Sequence, residues 1–210
     1  MTAPTLFSRR AAIRAGAGVL AGIAAWPGEA FVQQGLSVAA PQVNRVLLNR
    51  ALLALARHNR AIWSRDIVAI ADFGLPSSAP RLHLIDILDG TTTSLLVTHG
   101  KGSDPDHTGM LQSFSDVIGS NATAEGAYLT GEAYSGIHGA SRRLIGLDPT
   151  NAHAEQRAIV IHAAWYADPA LLVSQGRLGR SDGCFVVGEQ DIASVLSRLG
   201  QGRLLYAARE

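Results

Sequence analysis

Cys184 is the only cysteine in the 210 residues of this chain, and it closes the run Ser181-Asp182-Gly183-Cys184. A lone cysteine cannot form a disulfide within its own chain. A thiol is a modest nucleophile at neutral pH, and an adjacent imidazole activates it. His162, at the end of Ile159-Val160-Ile161-His162, stands on a separate apolar run upstream and is the candidate base. Gly183, directly before the cysteine, lets the chain turn sharply and lets a substrate approach closely. Backbone N–H groups at such a turn can face a developing oxyanion. This set of residues fits any thiol-based acyl transfer or hydrolysis.

The elements that must carry these residues read as mainly β. An amphipathic helix is predicted over 42–58 from Val43, Val46, Leu47, Ala51 and Ala54, with Arg50 close to the apolar face. The β-rich part begins at Asp66. Strands are expected at 67–73 and 82–88, and Asp89-Gly90 before Thr91–Val97 is the best hairpin signal in the chain. His99 to Gly126 reads as one long polar loop, and loops of that length in a compact domain are often functional. Short strands follow at 127–130 and 144–147, then a stronger one at 158–164 and a short apolar one at 184–187. A helix over 189–199 and a final strand at 203–207 complete an α+β pattern without regular βαβ alternation.

The N-terminus carries Ser8-Arg9-Arg10-Ala11-Ala12-Ile13-Arg14 ahead of an uncharged run, Ala15 to Trp26. That run is shorter than the about 20 residues a bilayer-spanning helix needs. It reads as a twin-arginine export signal, with residues 1–40 forming signal and linker. The twin-arginine translocase is then a transient partner, and the expected location is the periplasm, with no stable membrane insertion of the mature chain. Residues 41–65 are expected to be an N-terminal helical segment and 66–210 the main domain. A net charge of +1 with 17% charged residues gives no reason to expect nucleic acid as a partner. His99, His107, Asp104 and Asp106 fit no structural zinc spacing, so no metal or other cofactor is expected.

Two motifs resemble those of a known family. Gly136-Ile137-His138-Gly139-Ala140-Ser141-Arg142-Arg143-Leu144-Ile145-Gly146-Leu147 is similar to a conserved-type segment of the murein L,D-transpeptidase catalytic domains, a YkuD-type group with a cysteine nucleophile. Gly176-Arg177-Leu178-Gly179-Arg180-Ser181-Asp182-Gly183-Cys184 is similar to their nucleophile segment, and the span from Ala163 to Ser181 falls within the family's spacer length. The resemblance implies a β-sandwich or curved mixed sheet with a few short helices. It implies Cys184 as nucleophile, His162 as base and later acid, and the Ala163 carbonyl as the group orienting the imidazole. Gly183 and Cys184 would supply oxyanion N–H groups, and Ser181 would hold the turn. His138, Tyr134, Arg142, Arg180 and Asp182 become candidate substrate contacts. The implied substrate is the peptidoglycan stem peptide, cleaved and transferred at an L,D-bond through a thioester. The alternatives are an L,D-carboxypeptidase, or a non-catalytic wall-binding protein that keeps the fold. Asp182 motivates the last, because the family usually has histidine or an aromatic residue there.

Overall fold

The computed structural model describes residues 42–210; the export-signal reading of residues 1–40 lies outside them. Helix α1 spans Arg45–Arg57. Asn44 caps it, its side-chain oxygen accepting N–H bonds from Val46 at 2.8 Å and Leu47 at 3.3 Å; such a cap is worth about 1 kcal/mol. Leu47, Leu48, Ala51 and Ala54 form the buried stripe. Val46, expected on that stripe, is instead 53% exposed. Arg50 reaches past the helix edge to the Tyr206 hydroxyl at 3.0 Å and to Glu125 at 2.8 Å.

Eight strands form one sheet: β1 (Ile67–Asp72), β2 (Leu82–Asp86), β3 (Thr92–Leu95), β4 (Gly126–Gly136), β5 (Gly139–Gly146), β6 (Val160–Ala163), β7 (Phe185–Val187) and β8 (Leu204–Ala208). Their order across the sheet is β3-β2-β1-β8-β4-β5-β6-β7. Only the β1–β8 and β6–β7 pairs are parallel. β1 and β8 are buried on both faces, which explains their unbroken apolar composition. On one face Val68, Ile70, Leu204 and Tyr206 pack against the α1 stripe. On the other, Ala69, Leu84, Tyr128, Leu144, Ile161, Phe185 and Leu205 line the concave core. Helix α3 (Ile192–Arg198) packs into that core through Val195, while the short α2 (Ala170–Gln175) buries no residue. No helix among the described residues is long and apolar enough to cross a membrane.

The sheet curves until its two edges nearly meet. After β3 the chain runs on beside β7. Thr98 N–H donates to Val186 O at 2.9 Å, Ser181 N–H to His99 O at 3.0 Å, and Lys101 N–H to Ser181 O at 2.7 Å. The architecture is therefore mainly β with a few short helices, as expected. The hairpin around Asp89-Gly90 is present, with Gly90 at φ +74. The two short strands expected at 127–130 and 144–147 are corrected: they are the inner ends of one long hairpin, β4–β5. Its outer half is exposed and glycine-containing, so it carries no apolar alternation to read. The helix expected over 189–199 is shorter, Ile192–Arg198.

A buried polar network holds the closure. Arg81 is fully buried and donates to Val97 O at 2.9 and 3.0 Å, to Leu75 O at 2.9 Å and to His99 Nδ1 at 2.8 Å. His99 Nδ1 is thus an acceptor, and its Nε2–H donates to Asp104 at 3.2 Å. Burial, then the nearby Arg81 cation, push the His99 pKa down to about 4. His83, buried in β2 with Nε2 lacking any partner among the described residues, is pushed by burial to about 4 as well.

Both shifts make stability depend on pH. The unfolded histidine titrates near 6.5 and the folded one near 4, so the unfolded chain binds more protons between those values. The contribution is complete above about pH 6.5 and is lost as pH falls toward 4, up to about 3 kcal/mol for each residue. Thermal melts from pH 7.5 to 4.5 should show falling Tm, with a shallower fall for His83→Leu. An equal slope in that variant would refute the assignment for His83.

Candidate active site

Strand register sets His162 beside the strand that follows Cys184. His162 pairs with Val186 across β6–β7, and Ile161 pairs with Phe185. Ile161 and Phe185 face the core. Alternation then turns Val160 and His162 to the opposite face, and Val186 with them. Cys184 directly precedes β7 and stands two residues before Val186, the residue paired with His162 on the adjacent strand.

Gly183 makes the turn possible. It sits at φ +115, and a Cβ there would lie 2.7 Å from Ala122 O and 3.0 Å from an Arg157 nitrogen. Only glycine meets both conditions without strain. The Ser181 hydroxyl spans the turn, donating to Cys184 O at 2.7 Å and accepting the Gly183 N–H at 3.1 Å. This corrects one expectation: the Gly183 N–H is committed to the turn and does not face an oxyanion in this conformation.

The surroundings of His162 and Cys184 favour their neutral forms. His162 is 2% exposed. Its Nδ1–H donates to Ala163 O at 2.9 Å, which leaves the lone pair on Nε2. Burial lowers its pKa; the Ala163 bond raises it, and His138 adds to the lowering. The ring of His138, from the β4–β5 turn, stacks on that of His162 with centroids 4.2 Å apart and planes at 18°. Cys184 is partly exposed and its thiol lies 3.7 Å from Ala158 O. Burial pushes the thiol pKa up, the Val160 amide pulls it down, the Asp182 carboxylate raises it and the Arg157 guanidinium lowers it.

The remaining expected contacts divide. Tyr134 is half-buried beneath the Arg143 guanidinium, which lies 4.7 Å from its ring centroid and binds Glu132 at 3.0 Å. Arg143 pairs with Val160 and so shares the face of His162. Arg142 points the other way, donating to Gly131 O at 2.8 Å and Leu196 O at 3.1 Å. It is a core-facing structural arginine rather than a groove residue, as alternation along β5 requires. Arg180 binds the carbonyls of Asp104 and Pro105 and fixes the long loop. Asp182 points to solvent and pairs with Lys101 at 2.6 Å.

Two residues near Cys184 were not singled out in the sequence. Arg157, its side chain 4% exposed, donates to Ser115 O at 2.9 Å and to Ala122 O beneath the Gly183 turn. Tyr166 follows β6 in a 3-10 turn, Trp165–Ala167. Burial, then Cys184 and Asp182, push its phenol up to about 12. Neither stands near Cys184 in sequence, and no local signal marks an arginine whose partners are distant carbonyls. A small hollow of about 30 Å³ lined by Arg143, Glu155, Ala158 and Val160 adjoins the Cys184 contact on Ala158.

Comparison with known proteins adds the following. No match was found among curated protein sequences. Among solved structures, an L,D-transpeptidase from Mycobacterium smegmatis is similar at 13% identity and TM-score 0.42, over 68% of this chain and 58% of that one. The helical cell shape determining protein Pgp2 (K307A mutant) from Campylobacter jejuni is similar at 15% identity and TM-score 0.44, over 80% of this chain and 57% of that one. The chain thus spans less than two thirds of those proteins, and likeness this distant decides nothing about chemistry. The family model of the L,D-transpeptidase catalytic domain matches residues 39–208, most of the sequence. This chain belongs to the L,D-transpeptidase catalytic domain family.

Proposed function

We propose that this chain is an exported cysteine acyltransferase acting on peptidoglycan stem peptides. The observation that carries the reading is that Cys184 leads into β7 beside β6, which bears His162, with the imidazole held in its Nε2-basic tautomer by the Ala163 carbonyl. Family membership supplies the substrate class.

Cys184 Sγ attacks the carbonyl of an L-centre joined to a D-residue, at the bond between the diamino acid and D-Ala. The thiol proton passes to His162 Nε2 as the sulfur–carbon bond forms. The tetrahedral intermediate collapses to a thioester, and the departing D-amino acid nitrogen takes that proton from His162. An amine of a second stem then attacks the thioester, giving its proton to His162 Nε2; the carbon–sulfur bond breaks and that proton returns to the Cys184 sulfur. A free D-amino acid in that role gives exchange, and water gives carboxypeptidase activity. Burial raises the thiol and lowers the imidazole, so the resting pair is thiol and neutral imidazole. Proton transfer then accompanies attack, unlike in a site with a preformed thiolate. Arg157 offsets part of the thiol's desolvation, and Lys101 draws the Asp182 carboxylate toward solvent.

Replacing Cys184 with Ala should abolish crosslinking or D-amino-acid exchange on a purified stem tetrapeptide and remove the thioester adduct seen by mass spectrometry. Wild-type protein that binds muropeptide without turnover or adduct would establish the non-catalytic reading instead. Alkylation of Cys184 against pH should give a midpoint above that of a free thiol, about 8.5. Asp182→Asn should move the midpoint down and Arg157→Met should move it up; a fast reaction of the wild type below about pH 7.5 would overturn the neutral resting pair. For export, Arg9→Lys together with Arg10→Lys should strand precursor in the cytoplasm, and unchanged export would rule out the twin-arginine route.

A further inference from the structure

The mechanism above gives no task to the imidazole stacked on His162. His138 occupies the two-residue turn between β4 and β5, where Gly136 pairs with Gly139. Its neighbour Ile137 is 97% exposed. A turn so exposed has little to hold it in place, yet the His138 ring lies nearly parallel to that of His162 at 4.2 Å.

The hairpin is stiffened to deliver it. Glu132 binds Arg143 at 3.0 Å, and the Arg143 guanidinium covers the Tyr134 ring at 4.7 Å. Tyr134 folds back against the tip, its ring 2.7 Å from where a Gly136 Cβ would stand. Only glycine at 136 admits that ring. These contacts brace the outer hairpin, whose exposed strands have no core of their own. His162 needs such a cover. Its Nδ1–H bond to Ala163 O fixes one end of the ring, but a single hydrogen bond leaves the ring free to tilt about it.

The charged and titratable groups around this space are Cys184 and Asp182 from the turn before β7, Tyr166 from the turn after β6, Arg143 on β5, and Arg157 beneath Gly183. Of these and His138, His138 is the group in ring contact with His162. Two parallel imidazoles at this separation cannot both be charged without strong repulsion. One neutral ring over one cationic ring is favourable.

We propose that His138 is a positioning residue for proton transfer: its ring, presented by the β4–β5 tip, packs on the His162 imidazole and holds it in the orientation set by the Ala163 bond. The proposal rests on His162 acting as the base. When His162 accepts the Cys184 proton, the His138 ring face covers the new cation.

The test compares wild type, His138→Ala and His138→Phe by two readouts: ring-proton NMR titration of His162, which needs no turnover, and kcat and KM for thioester-dependent exchange. His138→Ala should lower kcat about tenfold with KM within about twofold, the size of effect expected when a general base loses its orientation. The His162 titration midpoint should rise, because a group that opposes its protonation is gone. His138→Phe should recover most of kcat, since a flat ring restores the stack, while the His162 midpoint stays raised, since no charge returns. A rise in KM alone, with kcat and the His162 midpoint unchanged, would overturn the proposal and make His138 a substrate contact. No change in any readout would overturn it too. If wild type shows no exchange, the acyl-transfer reading fails on its own, and the titration still decides the coupling: an unmoved His162 midpoint in both variants refutes it. Circular dichroism checks the fold of each variant; if the alanine variant unfolds, the phenylalanine variant decides.

Discussion

The buried Arg81 guanidinium holds the point at which the sheet closes on itself. It binds two backbone carbonyls and the His99 ring from inside the core. An unpaired charge at that depth would cost several kcal/mol. Burial pulls even this arginine's pKa down to about 9, against the pull of Asp72 and Asp104. Its hydrogen bonds fix the chain leaving β3 at Val97 and His99. That chain then pairs with Ser181 and Val186, on either side of Cys184. The position of Cys184 thus depends on this buried network.

The site itself is governed by burial more than by charge. Packing His162 beneath His138, and Cys184 beside Ala158, disfavours the charged form of each. Two neutral side chains within a desolvated wall cost little. The counter-charges are arranged to match. Arg157 lies under the turn and favours sulfur anion, while Asp182 disfavours it and is drawn outward by Lys101. Asp182 is 67% exposed at its side chain, so solvent screening weakens its hold on the thiol.

How much of this was legible in sequence follows the physics of each element. Helix α1 and the central strands announce themselves because their apolar residues recur with the period of the structure they form. The outer half of β4–β5 does not, because its backbone hydrogen bonds hold it without buried side chains. Arg142 and Arg143 show the same limit at the scale of a residue. They are adjacent and chemically identical, and strand alternation alone sends one into the core and the other to the face of His162.

The sequence by itself determined the family and the glycine that must precede the cysteine, because residue type and spacing along the chain carry both. The tertiary structure decided what lies across from them. It placed His138 on His162, Arg157 beneath Gly183 and Lys101 beside Asp182, and it committed the Gly183 amide to Ser181. Three of these contacts join segments far apart in the chain, and the fourth depends on the turn conformation that Ala122 and Arg157 enclose. Such pairings follow from sheet register and closure, which no local pattern of residues encodes.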